Sequence, residues 1–131
     1  MPILNVKVSG ERSDAMTKAI TSLLGDLTQR ILRKDPAVTA IAIGYIDPRD
    51  WYASGKSLAE QGKSSVYFDI KVTDETNTKS EKAAFIQAAF EGFAALLGNL
   101  HEESYIYVQD VRAAAYGYGG RTQEWRYQRA D

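Results

Sequence analysis

The chain has 131 residues, a formal net charge of −1, no cysteine and one histidine. That length predicts one domain with its own core. The lack of cysteine excludes disulfides, thiolate catalysis and cysteine-ligated zinc, and a single histidine disfavours multi-histidine metal sites. The balanced charge argues against a nucleic-acid partner, and no apolar run approaches the length needed to span a membrane. No signal peptide is visible, so we expect a cytoplasmic protein.

The first predicted element is a strand that begins directly after a proline. Apolar and polar residues alternate over Ile3–Val8, which is typical of a half-buried strand. Proline cannot donate a hydrogen bond to a β-ladder, so Pro2 should precede the strand and not form part of it.

Two amphipathic helices follow, one in each half of the chain. In the first, apolar residues from Met16 to Ile31 recur three, four or seven positions apart. Ser13 or Asp14 could cap its start, and Pro36 marks a stop after it.

The second predicted helix has stronger start and stop signals. Its apolar stripe runs over residues 86–97. Thr78 and Glu81 have the spacing of a capping box, and Gly98 predicts a left-handed helix end.

Each helix lies between two strand-like segments, so the order is β-α-β twice. Short connections favour parallel pairing and a right-handed crossover in each unit. The flanking segments are Ile3–Val8 and Thr39–Ile46 in the first half, and Ser65–Val72 and Ser104–Val111 in the second.

The two halves also correspond in sequence when the first is shifted by 64 positions. Lys7 then falls on Lys71 and Tyr52 on Tyr116, and the helix, turn and second strand superpose without a gap. This predicts a single α/β domain of duplicated β-α-β units. It should contain a four-stranded mixed sheet with two helices on one face. Its parts are repeat one (2–57), a linker (58–64), repeat two (65–121) and a C-terminal tail (122–131).

The predicted sheet leaves one face without a helix. Burying apolar surface is worth roughly 25 cal/mol per Å², so association through that face is expected. The repeat suggests a ring of three chains with six pseudo-equivalent units.

Pro2 has a chemical use if the initiator methionine is removed, because its nitrogen then becomes a free secondary amine. An α-amino group has a pKa of about 8. Burial or a nearby cation lowers that pKa, which makes the amine a candidate general base near neutral pH. The alternative is that Met-Pro has no catalytic meaning here.

Three stretches resemble the 4-oxalocrotonate tautomerase family. They are "PILNVKVSGERSDAMTKAI", "DPAVTAIAIGYIDPRDWYASGK" and "SYIYVQDVRAAAYGYGG". The last resembles the longer, fused members, related to macrophage migration inhibitory factor, malonate semialdehyde decarboxylase and cis-3-chloroacrylic acid dehalogenase. The resemblance covers residues 2–121.

The resemblance implies a homotrimer that needs no cofactor and moves a proton in a small carboxylate-bearing enol or dienol acid. Pro2 matches the family's catalytic base or acid. Arg12, in "GERSD", matches the arginine that holds the substrate carboxylate. A guanidinium suits that role because it can bind a carboxylate through two parallel hydrogen bonds.

The resemblance also indicates substrate-binding residues. Trp51 or Tyr52 lies near the family's aromatic wall position, and Tyr116 is the counterpart in the second half. Tyr105 and Tyr107 lie on the last strand, where longer members place pocket residues. Tyrosines on a strand also commonly pack at subunit contacts.

The chain departs from the family in its cations. The second arginine of the short tautomerases is replaced by Ile41 or Ala42, and the arginine pair of the dehalogenase and decarboxylase relatives has only Lys71 and Lys79 in its place. Lysine is not equivalent to arginine in a forked contact. Lys71 remains a candidate because a cation near Pro2 would lower the pKa of the amine.

The sequence therefore predicts a tautomerase and leaves two alternatives. One is a cofactor-free decarboxylase, hydratase or dehalogenase on the same scaffold, with protonated Pro2 as the acid. The other is a non-catalytic trimeric binding protein. Arg112 and Arg121 are further candidates for the missing carboxylate clamp.

Overall fold

The computed structural model describes residues 2–129. In chain order its strands are β1 (Ile3–Ser9), β2 (Ala40–Ile46), β3 (Tyr52–Ala53), β4 (Lys56–Ser57), β5 (Val66–Thr73), β6 (Tyr105–Val111), β7 (Gly117–Tyr118) and β8 (Arg121–Thr122). The helices are α1 (Asp14–Arg30), α2 (Leu58–Gln61), α3 (Lys79–Leu97) and α4 (Gln123–Arg129). Within residues 2–129, no helix combines the length and apolarity that crossing a membrane requires.

The main sheet confirms the predicted architecture. Its four strands have the order β2-β1-β5-β6. The strands of each β-α-β unit pair in parallel, whereas β1 and β5 pair antiparallel at the centre. The sheet is therefore mixed, and the two units meet through their first strands.

Both long helices begin at the residues that their sequences indicate. The Ser13 hydroxyl accepts a hydrogen bond from the backbone N–H of Met16. Thr78 and Glu81 form the predicted capping box. Gly98 ends α3 with φ 70° and ψ 149°, so its positive φ agrees with the prediction but its extended ψ differs from the left-handed helical end expected.

The helices cover one face of the sheet. Buried residues of β1 and β5 pack against α1 and α3, and Phe68 contacts Phe85 edge-on with ring centroids 6.0 Å apart. Gly92 permits the close approach of the helices, because a Cβ there would lie 2.6 Å from the Leu23 side chain. The core follows from the strand alternation and the helical stripes seen in the sequence.

The opposite face of the sheet is open. Ile3, Tyr105 and Tyr107 expose 39%, 59% and 57% of their surface. The two edge strands present side chains of very different size on this open face. Ala42 of β2 and Tyr107 of β6 are both exposed, and the tyrosine is far larger.

The two halves correspond with an offset that changes along the chain, so the gap-free superposition expected from the sequence is wrong beyond the first strand. Three residues (10–12) separate β1 from the cap at Ser13, whereas four (74–77) separate β5 from Thr78. From the caps onward the offset is 65, as the starts of β2 and β6 show. Tyr116 therefore corresponds to Trp51 and not to Tyr52.

The segments assigned to a linker and a tail contain corresponding secondary structure. The hairpin β3-β4 leads into α2, and the hairpin β7-β8 leads into α4. In each unit the first N–H of the short helix donates to the carbonyl of the residue that precedes the hairpin. The Leu58 N–H donates to the Trp51 carbonyl, and the Gln123 N–H donates to the Tyr116 carbonyl. The duplicated unit is therefore β-α-β-hairpin-helix, which is longer than the repeat drawn from the sequence.

Candidate active site

Pro2 is buried beside the edge of the main sheet. It precedes β1, so its lack of an N–H removes no bond from the ladder, while its carbonyl accepts a hydrogen bond of 3.1 Å from the N–H of Ala40. It lines a cavity of about 470 Å³, here called the proline cavity. The lining residues are Pro2, Ile3, Ala37, Val38, Thr39, Ala40, Tyr116, Gly117 and Tyr118.

Two short segments form the walls of the proline cavity. One is the 3-10 turn Pro36–Val38, whose start is capped by the Asp35 carboxylate accepting from the N–H of Ala37 at 2.9 Å. The other is the β7-β8 hairpin, which requires glycine at position 117. A Cβ on Gly117 would lie 1.8 Å from the carbonyl oxygen of Arg121, so a side chain there would force the backbone of this hairpin to shift.

Tyr116 presents a phenol to the wall of the cavity. Its hydroxyl lies 2.6 Å from the Thr73 hydroxyl. Burial raises the pKa of Tyr116, and the hydrogen bond with Thr73 opposes this only in part. A tyrosine phenol is protonated at neutral pH and can both donate and accept a hydrogen bond.

Tyr118 completes this wall and was not singled out from the sequence. The guanidinium of Arg126 lies over its ring, with Cζ 3.7 Å from the ring centroid, and Nη2 donates to the Tyr118 carbonyl at 2.7 Å. The glycines of "YGYGG" indicate a hairpin or a tight turn, and the stretch forms the β7-β8 hairpin. The available signal for Tyr118 was its place two residues after Tyr116 in a tight turn.

A second cavity, of about 450 Å³, contains three of the predicted aromatic residues. We call it the aromatic cavity. Trp51, Tyr52 and Tyr105 line it, and none of the three lines the proline cavity. Its other lining residues are Lys7, Ile46, Asp50, Ala53, Tyr67 and Glu103.

The aromatic cavity is the counterpart of the proline cavity in the other repeat. Val66 stands where the first repeat has Pro2. Other counterparts, proline cavity first, are Ile3 and Tyr67, Val38 and Glu103, Ala40 and Tyr105, Tyr116 and Trp51, Gly117 and Tyr52, and Tyr118 and Ala53. The two corresponding units thus form two corresponding cavities, and Pro2 lines only the first of these two.

Arg12 lies far from Pro2 within one copy of the chain. It follows the opposite end of β1, and seven strand residues span about 23 Å. Its side chain is exposed, and Nη1 pairs with the Asp14 carboxylate at 2.6 Å. It lines two other cavities, both of which also include Tyr45.

Lys71 and Tyr107 both lie on the open face of the sheet. The Lys71 ammonium pairs with the Asp69 carboxylate at 2.8 Å, and Tyr107 is opposite Asp69 in the β5-β6 register. Neither residue lines the proline cavity. Lys71 is nevertheless directly opposite Ile3 in the β1-β5 register, one residue from Pro2.

The remaining cations of interest lie on the C-terminal segment. Arg112 is exposed, and the Arg121 guanidinium lies 4.8 Å from the centre of the Trp125 ring. Neither lines the proline cavity, whose described lining side chains are all uncharged.

The main-chain architecture matches solved structures over nearly its whole length. A fused 4-OT solved as a symmetric trimer is 18% identical, with a TM-score of 0.78, over 93% of this chain and 96% of that one. The chain therefore has the same fold as this fused 4-OT. Another protein of this fold, Pt0534 inactivated by 2-oxo-3-pentynoate, is 14% identical with a TM-score of 0.81, over 95% and 98% of the two chains.

The same fold occurs in a solved decarboxylase. Malonate semialdehyde decarboxylase inhibited by 3-bromopropiolate is 17% identical with a TM-score of 0.73, over 97% of this chain and 96% of that one. No protein-family model matches the chain, and no curated protein matches it. The three-dimensional likeness therefore identifies the fold, and the reaction must be argued from the site.

Proposed function

We propose that the chain is a cofactor-independent tautomerase that moves a proton within a small enol or dienol 2-oxo acid. The observation that carries this proposal is the burial of Pro2 in the wall of a cavity large enough for such a molecule. Once the initiator methionine is removed, the Pro2 nitrogen becomes the amine that transfers the proton. It takes the proton from the enol hydroxyl and returns it to carbon, so nothing is oxidised or reduced.

The surroundings of Pro2 suit a base better than an acid. The described side chains that line the cavity are uncharged and mostly apolar. Such surroundings disfavour an ammonium, so the pKa of the terminal amine should fall below the ordinary value of about 8. A neutral amine at pH 7 can accept the enol proton.

Tyr116 is the proposed donor to the substrate oxygen. Its raised pKa keeps the phenol protonated, and the same wall brings it to the cavity that contains Pro2. A hydrogen bond to the carbonyl oxygen that develops negative charge would stabilise the enolate-like transition state.

Arg12 can hold the substrate carboxylate only if another copy of the chain supplies it. We propose a homotrimer, in agreement with the fused 4-OT solved as a symmetric trimer. The open sheet face, with exposed Ile3, Tyr105 and Tyr107, offers apolar surface for that contact. Light scattering coupled to size-exclusion chromatography should give three times the mass of one chain, and a monomer would contradict the role of Arg12.

A decarboxylase is the second candidate, because malonate semialdehyde decarboxylase has the same fold. That reaction would need Pro2 protonated at working pH. The uncharged lining of the proline cavity favours the neutral amine, and therefore the tautomerase.

Covalent labelling tests the proposal. Pt0534 is inactivated by 2-oxo-3-pentynoate, an alkynone that bears a carboxylate. We expect this reagent to add to the nucleophilic Pro2 amine of the present chain. Peptide mass spectrometry should find the adduct on Pro2, with ketonisation of phenylenolpyruvate and of 2-hydroxymuconate lost in parallel. A variant that retains Met1 is the control, because its Pro2 nitrogen is an amide.

Two results would contradict the proposal. One is an adduct on Lys7, the amine in the aromatic cavity, with Pro2 unmodified. The other is ketonisation at the same rate in the wild type and in the variant that retains Met1.

A further inference from the structure

Arg126 places a positive charge directly behind the wall of the proline cavity. Its guanidinium stacks on the ring of Tyr118, which lines that cavity, with Cζ 3.7 Å from the ring centroid. Its Nη2 donates to the Tyr118 carbonyl. Its Nε is buried and has no hydrogen-bond partner among residues 2–129.

The other repeat shows what this position requires for structure alone. The counterpart of Arg126, 65 positions earlier, is Gln61. Its side-chain amide donates to the Ala53 carbonyl at 2.8 Å, and Ala53 is the counterpart of Tyr118. The same amide also donates to the Lys56 carbonyl at 3.1 Å. A neutral amide is therefore sufficient to tie the helix to its hairpin.

Arg126 makes the same hydrogen bond to the hairpin as Gln61, and in addition it carries a positive charge and stacks its guanidinium on the Tyr118 ring. A guanidinium is always charged and is more weakly hydrated than an ammonium, so it tolerates a partly buried place against an aromatic ring. The described side chains that line the proline cavity carry no charge. Arg126 stacks on one of them, Tyr118. The guanidinium of Arg121 in the same hairpin lies over the Trp125 ring instead, and Arg12 of the same copy lies at the other end of β1.

We infer that Arg126 is a positioning residue for the proposed reaction: through Tyr118 it holds the cavity wall and provides the positive field that draws the substrate carboxylate towards Pro2. This inference depends on the proposed function, since it concerns the same cavity and the same acid substrate. It assigns to the C-terminal helix α4 a part of the carboxylate recognition that the missing second arginine would otherwise supply.

The structure itself suggests the informative variant. Arg126→Gln places the residue of repeat one in repeat two, so the hairpin can keep its hydrogen bond while losing the charge. We expect the KM for an acidic enol substrate to rise about tenfold with little change in kcat, because the charge acts on binding. Arg126→Lys restores the charge and should recover most of the affinity. Gln61→Ala weakens the corresponding hairpin contact and should leave both constants unchanged.

A pair of labelling reagents separates charge from structure and does not require turnover. The wild type and Arg126→Gln are treated with 2-oxo-3-pentynoate and with 3-pentyn-2-one, a similar alkynone without the carboxylate. We expect the rate of Pro2 labelling by the acid to fall about tenfold in the variant, and the rate with the neutral ketone to stay unchanged.

Each other outcome of this labelling experiment is decisive. Equal loss with both reagents would show that Arg126 only maintains the wall, and no loss with either would show that its charge is not felt. Both results overturn the inference and leave the proposed function standing. If neither reagent labels Pro2 in the wild type, the proposed function and the inference are overturned together.

Discussion

The proline cavity and the aromatic cavity occupy corresponding positions in the two repeats and have similar volumes, about 470 and 450 Å³. Each is bounded by the start of a first strand, the start of a second strand, and a hairpin that leads into a helix. Their contents differ. The proline cavity has an uncharged lining, whereas the aromatic cavity contains Lys7, Asp50 and Glu103.

This difference separates what the fold supplies from what single residues supply. A β-α-β-hairpin-helix unit forms a cavity whether or not its first strand begins at a chain terminus. The proposed chemistry needs a terminal amine, and a duplicated chain has only one amino terminus. The second cavity therefore retains the shape with Val66 in place of Pro2, and changes at corresponding positions should have unequal effects on activity.

The largest effect is expected for Pro2→Ala. The variant retains an α-amine but loses the secondary amine and the ring that sets its direction. Because positioned acid-base groups contribute 10²–10⁴-fold to rates, we expect kcat/KM for phenylenolpyruvate to fall about 100-fold. Val66→Ala is the matched control, and it should lower thermal stability without changing kcat/KM. Comparable losses of activity in both variants would contradict the distinction between the cavities.

The second effect concerns the hairpins. Gly117→Ala places a Cβ against the Arg121 carbonyl and must displace the wall of the proline cavity. We expect a stability loss of about 1–3 kcal/mol, as for other overpacked sites, and an approximately tenfold lower kcat/KM. The corresponding residue Tyr52 is 64% exposed, so Tyr52→Ala should change neither quantity by much. Chemical denaturation and steady-state kinetics would measure both, and unaltered activity in Gly117→Ala would remove the β7-β8 hairpin from the site.

Much of the fold could be predicted because its signals are local. Strand alternation over Ile3–Val8, the caps at Ser13 and Thr78, and the glycines of "YGYGG" each act within a few residues. The duplicated order then restricts the sheet to few topologies, and the solved structures confirm the result.

The site was harder to predict because it depends on one extra residue in a loop. The additional residue between β5 and Thr78 changes the offset from 64 to 65, so sequence comparison paired Tyr116 with Tyr52 instead of Trp51. Tyr116 and the three candidates that line the aromatic cavity are all aromatic, so residue type does not tell which cavity each one lines. Only their positions in the folded chain assign Tyr116 to the proline cavity and the other three to the aromatic cavity. The roles assigned to the candidate residues stay predictions.

The placement of Arg126 had no local signal. The segment "QEWRYQR" lacks a clear apolar stripe, and α4 is fixed by the hairpin that precedes it. Only the comparison of Arg126 with Gln61 in the folded chain shows that the two residues make the same contact. The same lack of a local signal explains why the sequence predicts a separate tail over residues 122–131.

A smaller effect is expected at Tyr116. Tyr116→Phe removes the hydrogen bond with Thr73 and should cost about 1 kcal/mol of stability and roughly threefold in kcat. Trp51→Phe is the corresponding change in the aromatic cavity and should leave kcat unaltered. Equal kcat values in the wild type and Tyr116→Phe would remove the phenol from the reaction.

The raised pKa of Tyr116 also predicts a pH dependence. The folded chain binds the phenolic proton more tightly than the unfolded chain, so this contribution to stability is complete below the unfolded pKa of about 10 and is lost as the pH rises through the folded value. The free energy of unfolding should therefore fall less steeply above pH 10 in Tyr116→Phe than in the wild type. Parallel curves for the two proteins would contradict the assignment.

The smallest expected effect concerns a side-chain contact between a helix and a strand that occurs at corresponding positions in both repeats. In repeat one the Tyr45 hydroxyl lies 2.7 Å from the Thr17 hydroxyl, and 65 positions later Lys82 pairs with Asp110. Both connect a helix to the second strand of its unit, but only the second connection is ionic. Partly exposed ion pairs contribute about 0.2–1 kcal/mol and are screened by salt. Lys82→Met should therefore lose up to about 1 kcal/mol in low salt and less in 1 M salt, whereas the cost of Tyr45→Phe should not depend on salt. Urea unfolding at the two ionic strengths measures the difference. An equal salt response in both variants would contradict the claim that the helix-to-strand contact is ionic only in repeat two.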